Sequence, residues 1–362
     1  MSSFSIAALE LLIGIGLLFV GGEIFVQGSI ALALILGVPQ LVIGLTVVAL
    51  GTSAPELFVS VNSVINGSDA LAVSNVVGSN IFNVMVVLGL SAIIIPLKVE
   101  SRLVRRDVPL LIAVSTAVWG MGSSGRFTWQ AGVSLIVALI INTIWEIKTV
   151  REEPEGIADA EPKIDLLYDK NVKYKSFIKV FAGILLLTFG SKLLIGGATT
   201  AANLLGVSES IIGLTIVSAG TSLPELTTSI VATFKGKTDL AIGNVVGSSL
   251  LNMLLVLGSS AIASGIYGLQ VDSLLINRDL PLMVITTLAC MPIFWTKGRI
   301  SRVEGSMLFG LYIFYLIDQV IPKTYPTWQN EFRTIMICII IPLFIIIISF
   351  QTIRYWIAVK KI

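Results

Sequence analysis

Residues 44–56 read GLTVVALGTSAPE and residues 213–225 read GLTIVSAGTSLPE, identical at nine of thirteen positions. At the same offset of 169, NVVGSNIFN at 75–83 returns as NVVGSSLLN at 244–252, and Gly37-Val38 is answered by Gly206-Val207. The likeness runs beyond these motifs. Arg106-Asp107-Val108-Pro109-Leu110 matches Arg278-Asp279-Leu280-Pro281-Leu282 at an offset of 172, and Gly125, Arg126 and Gly132 match Gly298, Arg299 and Gly305 at 173. Self-similarity over this distance says that the first half of the chain is duplicated.

Composition places both copies in lipid. Of 362 residues, 55% are hydrophobic and 13% charged, with a mean hydropathy of +0.94, which does not fit a water-facing surface. A hydrocarbon core about 30 Å thick takes roughly 20 apolar residues per helical span. Eleven such stretches lie near residues 5–27, 38–64, 70–95, 107–123, 128–147, 177–200, 208–233, 240–264, 278–296, 305–322 and 333–357. Each copy holds five of them, and an odd number makes the second copy enter the membrane from the opposite side. Inverted repeats with broken helices at mid-membrane are the architecture of secondary transporters. The predicted fold is therefore an all-α membrane protein of two inverted five-helix repeats, 1–147 and 177–322, joined by a cytoplasmic linker at 148–176. The eleventh span, 333–357, reads as a peripheral addition without transport residues. The linker is too short for an ion-sensing domain of ordinary size.

The basic residues set an orientation. No Lys or Arg precedes Lys98, so the first span lacks the basic region of a cleaved signal peptide and is expected to start outside. With alternating spans, nineteen Lys and Arg fall on cytoplasmic segments and five on outer ones. The positive-inside rule then places this multi-pass protein in the plasma membrane with its N-terminus outside and its C-terminus in the cytoplasm. Cys290 and Cys338 both fall within spans and read as packing residues, and the chain has no His, which removes the commonest transition-metal ligand.

Glu56 and Glu225 sit mid-span, where an ionised carboxylate costs about 2.5–3.5 kcal/mol, so a cation is expected to visit them. Each follows Gly-Thr-Ser-x-Pro. The proline has no N–H to give and displaces the carbonyl four residues back, which leaves Gly51 and Gly220 without a helical partner. Thr52 and Ser53 lie over the same helix face as Glu56, and Thr221, Ser222 and Glu225 repeat the arrangement. Ser79 with Asn83, and Ser248 with Asn252, are four residues apart and add neutral oxygens. A site of oxygens alone suits Ca2+ and Na+ rather than soft metals. Two carboxylates neutralise one Ca2+ or are met by two or three Na+, so the ions compete for one site, which is the logic of antiport.

GTSAPE with NVVGSNIFN, and GTSLPE with NVVGSSLLN, resemble the paired alpha-repeat motifs of the cation/Ca2+ antiporter superfamily, on its prokaryotic sodium/calcium exchanger branch, over about residues 5–322. The resemblance implies ion ligands at Thr52, Ser53, Glu56, Ser79, Asn83, Thr221, Ser222, Glu225, Ser248 and Asn252, with the backbone carbonyls of Ala49 and Ser218. It also implies exchange of Ca2+ for Na+ by alternating access, with 5–27 and 177–200 sliding against a fixed core, in the service of Ca2+ export. Transported Ca2+ and Na+ are the partners, with the bilayer; no cofactor, nucleic acid or protein partner is implied. Several relatives carry an acid where Asn252 stands, so this site has two carboxylates rather than three.

Plainer readings exist for each feature. Ser53-x-x-Glu56 and Ser222-x-x-Glu225 are also capping boxes with a proline in the first turn, and the Asn and Ser of the second motif also serve as interhelical hydrogen bonds. Glu23 and Lys192 read as side chains reaching for the interface, as do Glu10, Glu146 and Asp318, while Arg106-Asp107 and Arg278-Asp279 read as helix starts. A H+-coupled Ca2+ antiporter and a passive cation channel remain rival functions. An enzyme is discounted, since no nucleophile, cysteine pair or nucleotide loop stands out.

Overall fold

The computed structural model describes residues 3–152, 170–204, 218–295, 298–324, 329–344 and 346–347. The first half runs α1 (Ser3–Leu36), α2 (Gln40–Thr52), α3 (Ala54–Ile65), α4 (Asp69–Ile94), α5 (Val108–Gly122) and α6 (Trp129–Glu152). The second runs α7 (Lys170–Leu204), α8 (Ser218–Gly220), α9 (Leu223–Phe234), α10 (Thr238–Ala263), α11 (Leu275–Trp295) and α12 (Arg302–Thr324). Outside the repeat, α13 (Gln329–Ile335) continues as a π turn, Met336–Ile340.

Burial sorts these helices into centre and rim. The most apolar stretch of α10 is 94% buried and that of α4 78%, against 22% for α1 and 28% for α7. The motif helices therefore form the core, and α1 and α7 turn Phe4, Leu12, Phe19, Phe181 and Phe189 outward. A belt of exposed large apolar side chains on that scale belongs against lipid.

α1 and α7 meet along a seam of glycines. Gly14, Gly21 and Gly28 recur every seven residues on α1, and Gly183, Gly190 and Gly197, their equivalents at the offset of 169, do so on α7. A Cβ on Gly14 would stand 2.8 Å from the Leu194 nitrogen, one on Gly21 2.9 Å from that of Leu187, and one on Gly28 2.9 Å from that of Val180. As one helix is ascended the other is descended, so these repeat-equivalent helices run antiparallel. Where lipid supplies no hydrophobic drive between helices, small residues that admit such close backbone contact make the interface.

Other cross-repeat contacts come in reciprocal pairs. Ser115 and Thr287, equivalent residues on α5 and α11, share a hydrogen bond of 2.9 Å. Gly89 packs against Gly305, and Gly132 against Gly258. Two short antiparallel ribbons, not foreseen from the sequence, join the loops. β1 (Leu97–Lys98) pairs with β4 (Arg299–Ile300), and β2 (Arg126–Phe127) pairs with β3 (Leu269–Gln270). By the repeat, β1 corresponds to β3 and β2 to β4, so equivalent strands sit in different ribbons.

Several expected boundaries move. Six described helices are long and apolar enough to cross a membrane, or seven if α2 and α3 count as one bent span. The spans expected at 107–123 and 305–322 are α5, of 15 residues led in by a π turn at Leu103–Asp107, and α12, whose first turns carry Arg302 and Glu304. α1 and α7 outrun the expected 5–27 and 177–200, because polar Gln27, Lys173 and Lys175 do not break a helix. Both ends of the expected linker are helical, as α6 reaches Glu152 and α7 begins at Lys170. The span expected at 208–233 lies outside the described residues up to 217, as does 348–357 of the last one.

Candidate functional site

Sequence and backbone agree on where the helix breaks. Pro55 stands in the first turn of α3, and α2 and α3 meet at Ser53 with a bend of 43°. Pro224 does the same for α9, with Thr221 and Ser222 between it and α8. Ser53 and Ser222 occupy the N-cap positions, yet neither side chain caps its helix. The capping-box reading is not realised. Both hydroxyls instead cross to the other repeat, where Ser53 Oγ donates to Glu225 Oε1 at 3.2 Å and Ser222 Oγ donates to Glu56 Oε1 at 3.0 Å.

The second motif lies against these breaks. Thr52, Ser53, Glu56, Ser79, Asn83, Thr221, Ser222, Glu225, Ser248 and Asn252 are all buried. Ser248 Oγ lies 3.3 Å from Thr52 Oγ1. Asn83 and Asn252 each open a π turn, Asn83–Leu88 and Asn252–Leu257, a local widening that is frequent at functional sites. Ala49 presents a carbonyl already engaged by the Ser53 N–H at 2.9 Å and approached by Thr52 Oγ1 at 3.3 Å. Ser218 begins α8. One expectation is corrected: the Gly220 carbonyl released by Pro224 is not free, because Ser191 of α7 donates to it at 2.6 Å.

Two asparagines that the sequence reading passed over complete the arrangement. Asn75 Oδ1 accepts from Thr221 Oγ1 at 3.1 Å, while its Nδ2 donates to Ser60 Oγ at 3.0 Å and reaches the Glu56 carbonyl at 3.5 Å. Asn244 mirrors it, accepting from Thr52 Oγ1 at 3.2 Å and donating to Ser229 Oγ at 3.0 Å and to the Glu225 carbonyl at 3.3 Å. Each asparagine thus ties the broken helix of its own repeat to the threonine of the other. Their signal was present, since both open the repeated NVVGS at matching positions.

The chemistry left over points to a cation. Buried side-chain oxygens and nitrogens are nearly always hydrogen-bonded. Glu56 Oε2, Glu225 Oε2, Ser79 Oγ and both amide atoms of Asn83 and Asn252 nevertheless have no protein partner. Five of these seven atoms are oxygens in the predicted ligand set. Among the described residues no three His, Cys, Asp or Glu side chains cluster as a conventional metal centre. The candidate site offers two carboxylates and neutral oxygens, a donor set that suits hard cations.

The remaining charged residues stand apart from it. Glu23 pairs with Lys235 at 2.5 Å and accepts from Gln27 at 2.8 Å, rather than simply reaching for the interface. Glu146, expected at the interface, is buried and paired with Arg102 and Arg106. Asp318 is paired with Arg333.

Comparison with known proteins closes the case for the family. A model described as sodium/calcium exchanger protein matches residues 6–148 and 175–321. CaxA of Alkalimonas amylolytica is 35% identical over 86% of this chain and 97% of its own length. The sodium/calcium exchanger MaX1 of Methanosarcina acetivorans is 29% identical over 85% of this chain and 97% of its own. The solved structure of the sodium-calcium exchanger NCX_Mj, soaked with Na+ and without Ca2+, superposes with a TM-score of 0.75 at 29% identity, covering 87% of this chain and 99% of that one. With the motifs, the crossed glutamates and the core helices all in the matched regions, this membrane-embedded, multi-pass chain belongs to the sodium/calcium exchanger protein family.

Proposed function

We propose that this protein is a secondary active antiporter that exchanges Ca2+ for Na+ at a single mid-membrane site and exports Ca2+ under the Na+ gradient. The observation that carries this reading is the crossed pair of glutamates, each holding a serine of the other repeat with one carboxylate oxygen and leaving the second unpartnered beside neutral oxygens. Two carboxylates balance one Ca2+ or are met by two or three Na+. The bound ions lift the penalty of buried charge, so the loaded site is the form that moves. Because both halves contribute side chains to each glutamate, an ion bound there senses the relative position of the halves, as alternating access requires.

The proposal includes the division into inverted halves 1–147 and 177–322, supported by the antiparallel glycine seam of α1 and α7 and by the exchanged ribbon pairing. It includes the ligand set Thr52, Ser53, Glu56, Ser79, Asn83, Thr221, Ser222, Glu225, Ser248 and Asn252 with the Ala49 and Ser218 carbonyls. It also includes an N-terminus outside and a C-terminus in the cytoplasm, from the distribution of Lys and Arg.

Uptake of 45Ca2+ into proteoliposomes loaded with Na+, against K+-loaded vesicles and vesicles with a pH gradient, tests the coupling. Uptake confined to Na+-loaded vesicles is expected. Uptake driven by pH alone would make this a H+-coupled antiporter, and uptake in every vesicle would make it a channel.

A further inference from the structure

The two repeats carry matching charge clusters, and comparing them member by member exposes a substitution. In the first repeat, Arg102 and Arg106 face Asp107 and Glu146. Arg106 Nη1 lies 2.5 Å from Glu146 Oε2 with its guanidinium 4.4 Å above the Trp145 ring, while Arg102 bonds the other oxygen of Glu146 and lies 3.8 Å from Asp107. The carboxylates are 95% or more buried, and the cluster balances at two charges of each sign.

At the offset of 172, SRLVRRD at 101–107 becomes SLLINRD at 273–279. Arg106 and Asp107 persist as Arg278 and Asp279, but Leu274 stands in place of Arg102. On the facing helix, at the offset of 173, Gln319 stands in place of Glu146. The second repeat has therefore lost one cation and one anion from the cluster. A replacement pair is present all the same. Asp318, beside Gln319, supplies the anion, and its cation comes from outside the repeat. Arg333 of α13 donates to both Asp318 oxygens, from Nε at 2.8 Å and from Nη2 at 3.2 Å. Arg278 Nη1 lies 3.7 Å from the same carboxylate, and its Nη2 donates to Gln319 at 3.0 Å and also to Asp279, which Nε holds at 2.8 Å. The layout is again two against two.

We infer that Arg333 of the eleventh helix stands in for the arginine that the second repeat lacks at Leu274, which makes α13 a working part of the second half. Arg333 is a positioning residue: it neutralises Asp318, and through Asp318 it fixes Arg278 and Asp279 at the start of α11. The setting makes the charge matter. Leu274, Asp318 and Arg333 border one cavity of about 1240 Å3 whose other walls include Pro281, Phe314 and Met336. Without Arg333, Asp318 keeps, among the described residues, only the more distant Arg278 beside it, at 3.7 Å, and two carboxylates, Asp318 and Asp279, then share one arginine. On this inference the eleventh span, still without a transport residue, helps to hold the second half together.

Moving the arginine back tests the idea in the full-length protein. Arg333→Gln is expected to lower the melting midpoint of the purified protein by roughly 2–5 °C, since the pair is only partly buried, and to reduce the amount of active transporter, with the Ca2+ half-saturation of the surviving fraction unchanged. Adding Leu274→Arg, which puts a cation back at the position of Arg102 in the first repeat, is expected to recover more than half of that loss. Asp318→Asn in the Arg333→Gln background, which removes both charges, is expected to recover part of it. The inference is overturned if Arg333→Gln matches the parent, or if neither second substitution recovers stability or folded yield.

Discussion

Replacing Asn244 by alanine isolates what the crossed network contributes to ion binding. The amide makes two sound hydrogen bonds, with Ser229 Oγ at 3.0 Å and Thr52 Oγ1 at 3.2 Å, a longer one to the Glu225 carbonyl at 3.3 Å, and a marginal one with Ser248 at 3.5 Å. A net hydrogen bond is worth about 1 kcal/mol, and the first three together give about 3 kcal/mol. Thr52 keeps partial alternatives in the Ala49 carbonyl and Ser248, which return about 1 kcal/mol. The remaining 2 kcal/mol or so falls on the placement of Glu225 and Thr52, and corresponds to a roughly 30-fold rise in the Ca2+ half-saturation. Initial-rate 45Ca2+ uptake over a range of external Ca2+, alongside Ca2+-dependent thermal shifts of the detergent-purified protein, measures it. Asn80→Ala is the control, since Asn80 is as deeply buried on α4 but donates only to Val76 of its own helix. A folded Asn244→Ala protein whose half-saturation stays within twofold of the parent would refute the reasoning. So would an Asn80→Ala protein that shifts as far.

Glu56→Gln and Glu225→Gln should each abolish Na+-driven Ca2+ uptake, because one carboxylate cannot balance a Ca2+, while both proteins remain folded by gel filtration. Gly183→Leu should disrupt the α1–α7 seam, since even a Cβ there would stand 2.5 Å from that of Phe25; loss of exchange and of thermal stability is expected, whereas Gly16→Leu, with nothing within 4 Å of its Cβ, should be silent. Outside the membrane, burial and the nearby Asp239 raise the Glu100 carboxyl above its usual 4.5. The folded state therefore binds this proton more tightly than the unfolded chain, and ionisation costs stability as pH rises from about 4.5 through the raised value. Glu100→Gln is expected to raise the melting midpoint at pH 8 and to lose that advantage below about pH 4; an advantage that persists in acid would exclude this cause.

The sequence by itself determined the duplication, the lipid setting, the positions of both helix breaks and the serines, threonines and glutamates placed at them. These are one-dimensional facts. Repetition is read directly, hydropathy follows from composition, and a proline acts on the carbonyl four residues back wherever it stands. What touches what across repeats was decided only by the tertiary structure. Ser53-x-x-Glu56 has the spacing of a capping box, but the hydroxyl finds Glu225 instead, 172 residues away. Asn75 and Asn244 carried the same repeat signal as their neighbours and were passed over, because nothing local says that an amide will bridge a broken helix to a threonine of the other half. Arg333 looked peripheral for a related reason. Its inferred role depends on Asp318, 15 residues before it, and on Leu274, 59 residues before it, which the packing of α11, α12 and α13 brings beside it. Side-chain partners separated by more than a few helical turns are set by how whole helices pack, and no sequence window contains both sides of such a contact.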